Sequence, residues 1–265
     1  MARVTVAGLE IAFERAGTGP PLLLLHGGWS DHRAWRPQLE ELADEFTVIA
    51  WAAPGCGRSA DPPADFRLPD YADCVAGLVD ALGLARPHML GLSFGGGLAL
   101  EVYRRHPAIV RTLVLAAAYA GWAGSLPPDV VEQRLARALR EAELPPEQWA
   151  DGYLPGMFAA GAPPGAVEEY RTMMLDARLA GIRAMLQGFA EADLRDVLPT
   201  IDVPTLLLYG AEDQRSPLSV AEDLHARIPT SRLVVIPDIG HVSNLEAPDV
   251  FNEEVRSFLH EHTRV

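Results

Sequence analysis

The chain has 265 residues, 49% of them apolar, and a formal charge of −14. That length and apolar content exclude a disordered chain and allow one large domain, or a domain carrying an insertion. A diffuse acidic surface repels phosphate backbones, so nucleic acid is excluded as an expected partner.

Residues 3–17, RVTVAGLEIAFERAG, alternate apolar and polar side chains on either side of Ala7-Gly8, which predicts a β-hairpin. PLLLLHGG is a short apolar run ending in glycine, as expected of a strand buried on both faces of a parallel sheet, and TVIAWAAPG repeats the pattern. Residues 70–82, DYADCVAGLVDAL, have helical spacing, with Asp70 as N-cap and Gly83 just beyond the end. RPHMLGLS is another strand, and FGGGLALEVYRRH is a helix that stops before Pro107. VRTLVLAAA is a further strand. The alternation predicts a right-handed, mostly parallel α/β sheet.

From about 122 to 196 the pattern changes to four candidate helices, broken at LPP, LPG and GAPPGA, with no strand-like run. VPTLLLYG and SRLVVIP then resume the strand pattern, each followed by a helix. The expected organisation is a core of residues 1–121 and 197–265, interrupted by a helical cap at 122–196.

Gly91-Leu92-Ser93-Phe94-Gly95 fits G-x-S-x-G and lies at a strand-to-helix turn. Such an elbow holds its serine in a strained conformation so that the hydroxyl projects clear of the sheet. Glycine is needed two residues to either side, where a Cβ would clash. Gly96 and Gly97 let the following helix pack closely on the sheet, and its N-terminus favours a developing negative charge. All 22 basic residues are arginine, so Schiff-base lysine, Ser–Lys and phosphate-loop lysine chemistry are excluded.

A serine hydroxyl needs a base. Of eight histidines, His241 follows the last strand in a loop where Gly240 allows a sharp turn. His32, His88, His106, His225, His260 and His262 fall in helices, in strands or near the C-terminus, away from the carboxyl ends of strands where open α/β sheets place ligands. The base needs a carboxylate; Asp213 follows TLLLYG, with Glu212 beside it as rival. For the oxyanion, the N–H of Phe94 is one donor, and the loop His26-Gly27-Gly28-Trp29 supplies another, Gly28 ahead of Trp29. His26 is read as shaping that loop.

Cys56 and Cys74 stand in no CxxC or CxxH pattern, so no metal is expected. No apolar run reaches 18 residues and MARVTVAGLE has no apolar leader, so neither a membrane span nor a signal peptide is expected, and a reducing cytoplasm is the implied compartment.

HGGWSDHRAW, PGCGRSADP, GLSFGGGLAL, DVLPTIDVPTLLLYGAED and IPDIGHVSNLEAP follow one another in the order found in cap-bearing α/β-hydrolases. Over nearly its whole length the chain resembles that family. The resemblance implies an α/β-hydrolase fold: a mostly parallel sheet flanked by helices, with a helical cap after strand 6. The family's G-x-x-D spacing favours Asp213, third after Gly210, over Glu212. The motifs match esterases and enol-lactonases most closely, and HGG and GCGRS are also similar to those of proline iminopeptidases. Many relatives carry an aspartate shortly before Pro-Gly, where this chain reads Trp51-Ala52-Ala53-Pro54. That departure bears on how the loop is anchored and leaves the triad untouched. Ser93 argues against haloalkane dehalogenases and epoxide hydrolases, whose nucleophile is aspartate.

The expected chemistry is acyl transfer to water through Ser93, His241 and Asp213, with the Gly28 and Phe94 N–H groups on the oxyanion. Trp29, Tyr119 and Trp122 are candidate pocket residues; Tyr153, Met157, Phe158, Met173, Met174, Met185 and Phe189 are available from the cap. They suit a small or medium ester or lactone with an apolar portion. Arg178 and Arg183 are candidates to meet a substrate carboxylate, against a plain solvated helix face. Glu168, Glu169 and Asp176 would hold the amine of an aminopeptidase substrate. C–C bond hydrolysis on the same triad and a ligand receptor on the same fold are the other readings. No cofactor is implied.

Overall fold

The computed structural model describes residues 1–263. β1 (Ala2–Val6) and β2 (Leu9–Ala16) pair antiparallel around Ala7 and Gly8, whose φ values of 48° and 82° give the left-handed turn a tight hairpin requires. β3 (Pro21–Leu25), β4 (Thr47–Trp51), β5 (His88–Leu92), β6 (Thr112–Ala116), β7 (Thr205–Gly210) and β8 (Ser231–Ile236) complete one sheet in the order β1-β2-β4-β3-β5-β6-β7-β8. β2 runs antiparallel to both its neighbours; from β4 onward every pairing is parallel. β4 to β7 are buried at every position, which is why their sequences are continuous apolar runs rather than alternating ones.

α1 (Arg36–Glu41) and α2 (Leu68–Ala81) precede β5, and α3 (Phe94–Arg105) follows it. α2 starts two residues before the expected N-cap. Asp70 is therefore inside the first turn, where its carboxylate accepts the Arg67 N–H at 2.8 Å and stabilises the helix start from that side. α3 is buried from Phe94 to Tyr103.

Between β6 and β7 the chain is helical: α4 (Trp122–Ser125), α5 (Pro128–Ala142), α6 (Ala150–Tyr153), α7 (Pro164–Leu175) and α8 (Leu179–Glu191). This insertion touches the loops at the carboxyl ends of the strands. The Tyr170 hydroxyl on α7 donates to the Gly28 carbonyl after β3 at 2.8 Å. Gly181 on α8 lies against Gly55 after β4, and Phe189 against Gly97 after β5. The Met157 carbonyl accepts the His241 N–H after β8 at 2.9 Å. α9 (Leu218–Arg227), α10 (Ser243–Glu246) and α11 (Pro248–Thr263) close the fold. Gln38 on α1 donates to Asn252 on α11 at 2.8 Å, and Asn244 on α10 donates to the Ala34 carbonyl at 2.7 Å, so a buried amide network ties α10 and α11 to the start of α1. Among the described residues no helix is long and apolar enough to cross a membrane.

Candidate active site

Ser93 sits between β5 and α3 with φ 55° and ψ −110°, a combination that a non-glycine residue adopts only under constraint. Its glycines supply that constraint. A Cβ on Gly91 would stand 2.1 Å from the Gly95 carbonyl oxygen, and one on Gly95 would stand 2.0 Å from that of Leu25. Gly96 packs on Ala118 at the end of β6, while Gly97 makes room for the Phe189 ring of the insertion rather than for the sheet. Phe94 opens α3, so its N–H has no partner within the helix.

β7 ends at Gly210, where a Cβ would meet the Ile239 and Gly240 carbonyl oxygens at 2.2 and 2.3 Å. That close approach brings the loop after β7 against the loop after β8. Asp213 Oδ2 lies 2.8 Å from His241 Nδ1, and Asp213 Oδ1 accepts the backbone N–H groups of Arg215 and Ser216, each at 2.8 Å. Both Asp213 and His241 are buried, whereas Glu212 is exposed. Gly240 does not make the turn: the left-handed residue is Asp238, at φ 58°. Gly240 is small because Phe158 and Ala159 of the insertion press on it, 2.7 Å from an added Cβ at the nearest. The Glu246 carboxylate accepts the Gly240 N–H at 3.0 Å and the Ala159 N–H at 3.1 Å, joining the two segments.

Both ring nitrogens of His26 are committed to backbone: Nδ1 donates to the Gly27 carbonyl at 2.8 Å and Nε2 accepts the Ala53 N–H at 3.0 Å. Burial pushes its pKa down to about 4, so the ring is neutral and holds the loops after β3 and β4 together. Ser59 completes the anchor, donating to the Ala52 carbonyl at 2.6 Å and accepting the Ala12 N–H at 2.9 Å. The loop that lacks the family's aspartate is thus held by a histidine and a serine. Trp29 has φ 62°, so the left-handed position in His26-Gly27-Gly28-Trp29 falls on Trp29 and not on a glycine.

Ser93 and His241 line one cavity of about 460 Å³. Gly28, Trp29, Phe94, Tyr119 and Trp122 share its wall, as do Met157, Met185 and Phe189 from the insertion. A second cavity of about 420 Å³ adjoins it through Gly28, Trp29, Met185 and Leu186, and Met173 lines that one. Tyr153 lines a third, while Phe158 and Met174 are packed into the core.

Arg178 and Arg183 do not line the Ser93 cavity. Arg178 lines the second cavity and is paired there with Asp61 at 2.7 Å, while Arg183 is paired with Glu143 at 2.6 Å and lines neither. Glu169 and Asp176 are likewise paired, with Arg36 and Arg33. The cavity's arginines are instead Arg134 and Arg215. Arg215 was findable by position, two residues beyond Asp213 at a strand's carboxyl end; Arg134 lies on α5 and carries no local signal. Among the described residues no cluster of three or more His, Cys, Asp or Glu could hold a metal.

A mostly parallel sheet, a strained serine turn after its fifth strand and an Asp–His pair after its last two define the α/β-hydrolase class. The chain belongs to the alpha/beta hydrolase family, whose pattern matches residues 22–254, and it is a hydrolase of that family. It is similar to an esterase from Thermogutta terrifontis solved with malate bound, at 34% identity, 100% coverage of both chains and a TM-score of 0.93. It is also similar to the enol-lactonase of Burkholderia xenovorans, at 26% identity over 98% of this chain and 100% of the other, with a TM-score of 0.89. A pimeloyl-[acyl-carrier protein] methyl ester esterase from Vibrio campbellii is 29% identical over 94% of this chain and 98% of that protein.

Proposed function

We propose that the protein hydrolyses a carboxylic ester or lactone through an acyl-enzyme on Ser93. Ser93 Oγ attacks the carbonyl carbon while His241 Nε2 takes its proton. Asp213 holds Nδ1–H and so keeps Nε2 free to act as base. The oxyanion is received by the N–H groups of Phe94 and Gly28. Collapse expels the alcohol, which leaves with the proton from Nε2. Water then loses a proton to Nε2, attacks the acyl carbon, and the acid departs as Ser93 is restored. Residues 122–196 act as a cap over a core of 1–121 and 197–265, and their side chains form the wall opposite the nucleophile.

The observation that carries this reading is the 2.8 Å contact between His241 Nδ1 and Asp213 Oδ2 in a buried pair whose histidine shares a cavity with Ser93. Esterases among the relatives agree with it. An amine-bearing substrate is disfavoured, because no carboxylate among the described residues lines that cavity and two arginines do.

Ser93→Ala tests the reading: kcat/KM on p-nitrophenyl acetate is expected to fall by roughly 10⁶-fold if the three residues act as a unit. A fluorophosphonate is expected to label the wild-type protein once, on the peptide containing Ser93. Activity of the Ser93→Ala protein within tenfold of wild type would overturn the assignment. Stoichiometric ester binding with neither turnover nor labelling would favour a receptor.

A further inference from the structure

Arg134 and Arg215 stand where two cavities meet. The cavity that holds Ser93 and His241 and a neighbouring one lined by Arg137 and Tyr153 both include these two arginines in their walls. Both are half-buried. Arg134 Nη1 donates to the Arg215 carbonyl at 3.2 Å and to the Tyr119 hydroxyl at 3.3 Å, and the Tyr119 hydroxyl donates to that same carbonyl. The Arg215 guanidinium lies 5.2 Å over the Tyr153 ring. These contacts fix where the two cations sit, and none of them supplies a negative charge.

Among the described residues, neither guanidinium has an Asp or Glu oxygen within 4.0 Å. Arg137, the third arginine of the neighbouring cavity, is different: Glu141 neutralises it at 2.9 Å. The chain has 36 acidic residues against 22 basic ones, so carboxylates are plentiful. Two cations in the wall of a largely apolar cavity lose hydration without a protein carboxylate to compensate, and an anion entering that cavity offsets the cost. Arg134 keeps its remaining N–H groups for such an anion, in the fork geometry that suits a carboxylate.

Building on the reading of Ser93 as nucleophile, we propose that the substrate carries a second, free carboxylate and that Arg134 and Arg215 hold it during attack on the ester carbonyl. The substrate class is a monoester of a dicarboxylic acid or a carboxylate-bearing lactone, and Arg134 is a specificity-determining residue.

Two measurements test this. In the first, wild-type protein is given monomethyl glutarate and dimethyl glutarate. The ratio of kcat/KM, mono over di, is expected to exceed one at low salt. It should fall roughly 10–100-fold in Arg134→Gln, the worth of a charge-assisted hydrogen bond, with partial recovery in Arg134→Lys. A ratio at or below one in wild type, or one that Arg134→Gln leaves unchanged, overturns the proposal while leaving the ester reading intact. In the second, Ser93→Ala protein is titrated calorimetrically with the same two compounds. Monomethyl glutarate is expected to bind at least tenfold tighter, and Ser93→Ala/Arg134→Gln to lose that preference. Equal or reversed affinities overturn the proposal. This arm judges the arginine pair even where hydrolysis itself fails, and unfolding curves of each variant at the assay temperature separate misfolding from lost recognition.

Discussion

Asp213 divides its carboxylate: Oδ2 meets His241 Nδ1 at 2.8 Å, and Oδ1 is filled by the Arg215 and Ser216 N–H groups. With Oδ1 occupied, the acid cannot rotate away from the imidazole. Asp213→Asn keeps the shape, but its NH2 group facing Nδ1 would force the ring proton onto Nε2, the nitrogen proposed to accept from Ser93. A loss in kcat of roughly 10³–10⁴-fold is expected, with the far-ultraviolet circular dichroism retained. Activity within tenfold of wild type would remove Asp213 from the proposed triad.

The insertion meets the core at a glycine–glycine contact. Gly55, at φ 83°, follows β4, and a Cβ placed on Gly181 of α8 would stand 2.2 Å from the Gly55 carbonyl oxygen. Backbone on backbone has no side chain to yield, so Gly181→Ala must move α8. A destabilisation of roughly 1–3 kcal/mol is expected from such overpacking. Because Ile182, Met185 and Leu186 on the same helix line the cavities, relative rates on bulkier acyl esters should change as well. Unfolding in urea and an acyl-length series measure the two effects. An unchanged midpoint would show that α8 tolerates the shift.

The sheet is legible in the sequence because β4 to β7 are buried on both faces, and a short uninterrupted apolar run between turn residues suits a strand with no wet side. The serine turn is legible because its strain needs glycines at fixed offsets, and Asp213 because the family's spacing from Gly210 distinguishes it from Glu212. What escapes is whatever depends on a distant segment. Gly240 reads as a turn former, yet Phe158 and Ala159, far earlier in the chain, are the reason it is glycine. Arg178 and Arg183 are candidates for a substrate carboxylate or for a plain solvated face, and only the fold shows both paired, with Asp61 and Glu143, and Arg178 alone in a cavity wall, that of the second cavity. Arg134 looks like any helix arginine, and what sets it apart is its place in the wall of the Ser93 cavity with no carboxylate partner among the described residues.

Tyr170 reaches from α7 to the Gly28 carbonyl at 2.8 Å. That bond orients the peptide between Gly28 and Trp29, and Trp29 at φ 62° is costly to hold. Tyr170 is thus a positioning residue for the proposed oxyanion loop. Tyr170→Phe should lower kcat by roughly 3–10-fold, the worth of one neutral hydrogen bond, with KM for a short ester little changed. A rise in KM at constant kcat would instead assign the hydroxyl to substrate binding.

Acid should destabilise the protein through buried neutral histidines. Burial pushes both His26 and His88 down to about 4 from 6.5. Below 6.5 the unfolded chain takes up a proton that each native ring refuses until about 4. Stability is therefore full above 6.5 and is lost as pH falls toward 4. The limit for His26 is about 3.5 kcal/mol, from a fall in its pKa from 6.5 to about 4. His32 is lowered by burial too and acts in the same sense. Glu246, whose carboxyl burial raises, acts in the opposite sense. Urea unfolding at pH 7 and pH 5 is expected to show the wild-type protein markedly less stable at pH 5. His26→Gln should be less stable at pH 7, because the bridge from Gly27 to Ala53 is weakened, and should lose less between pH 7 and pH 5. An equal decline in both proteins would show that His26 is not the titrating group.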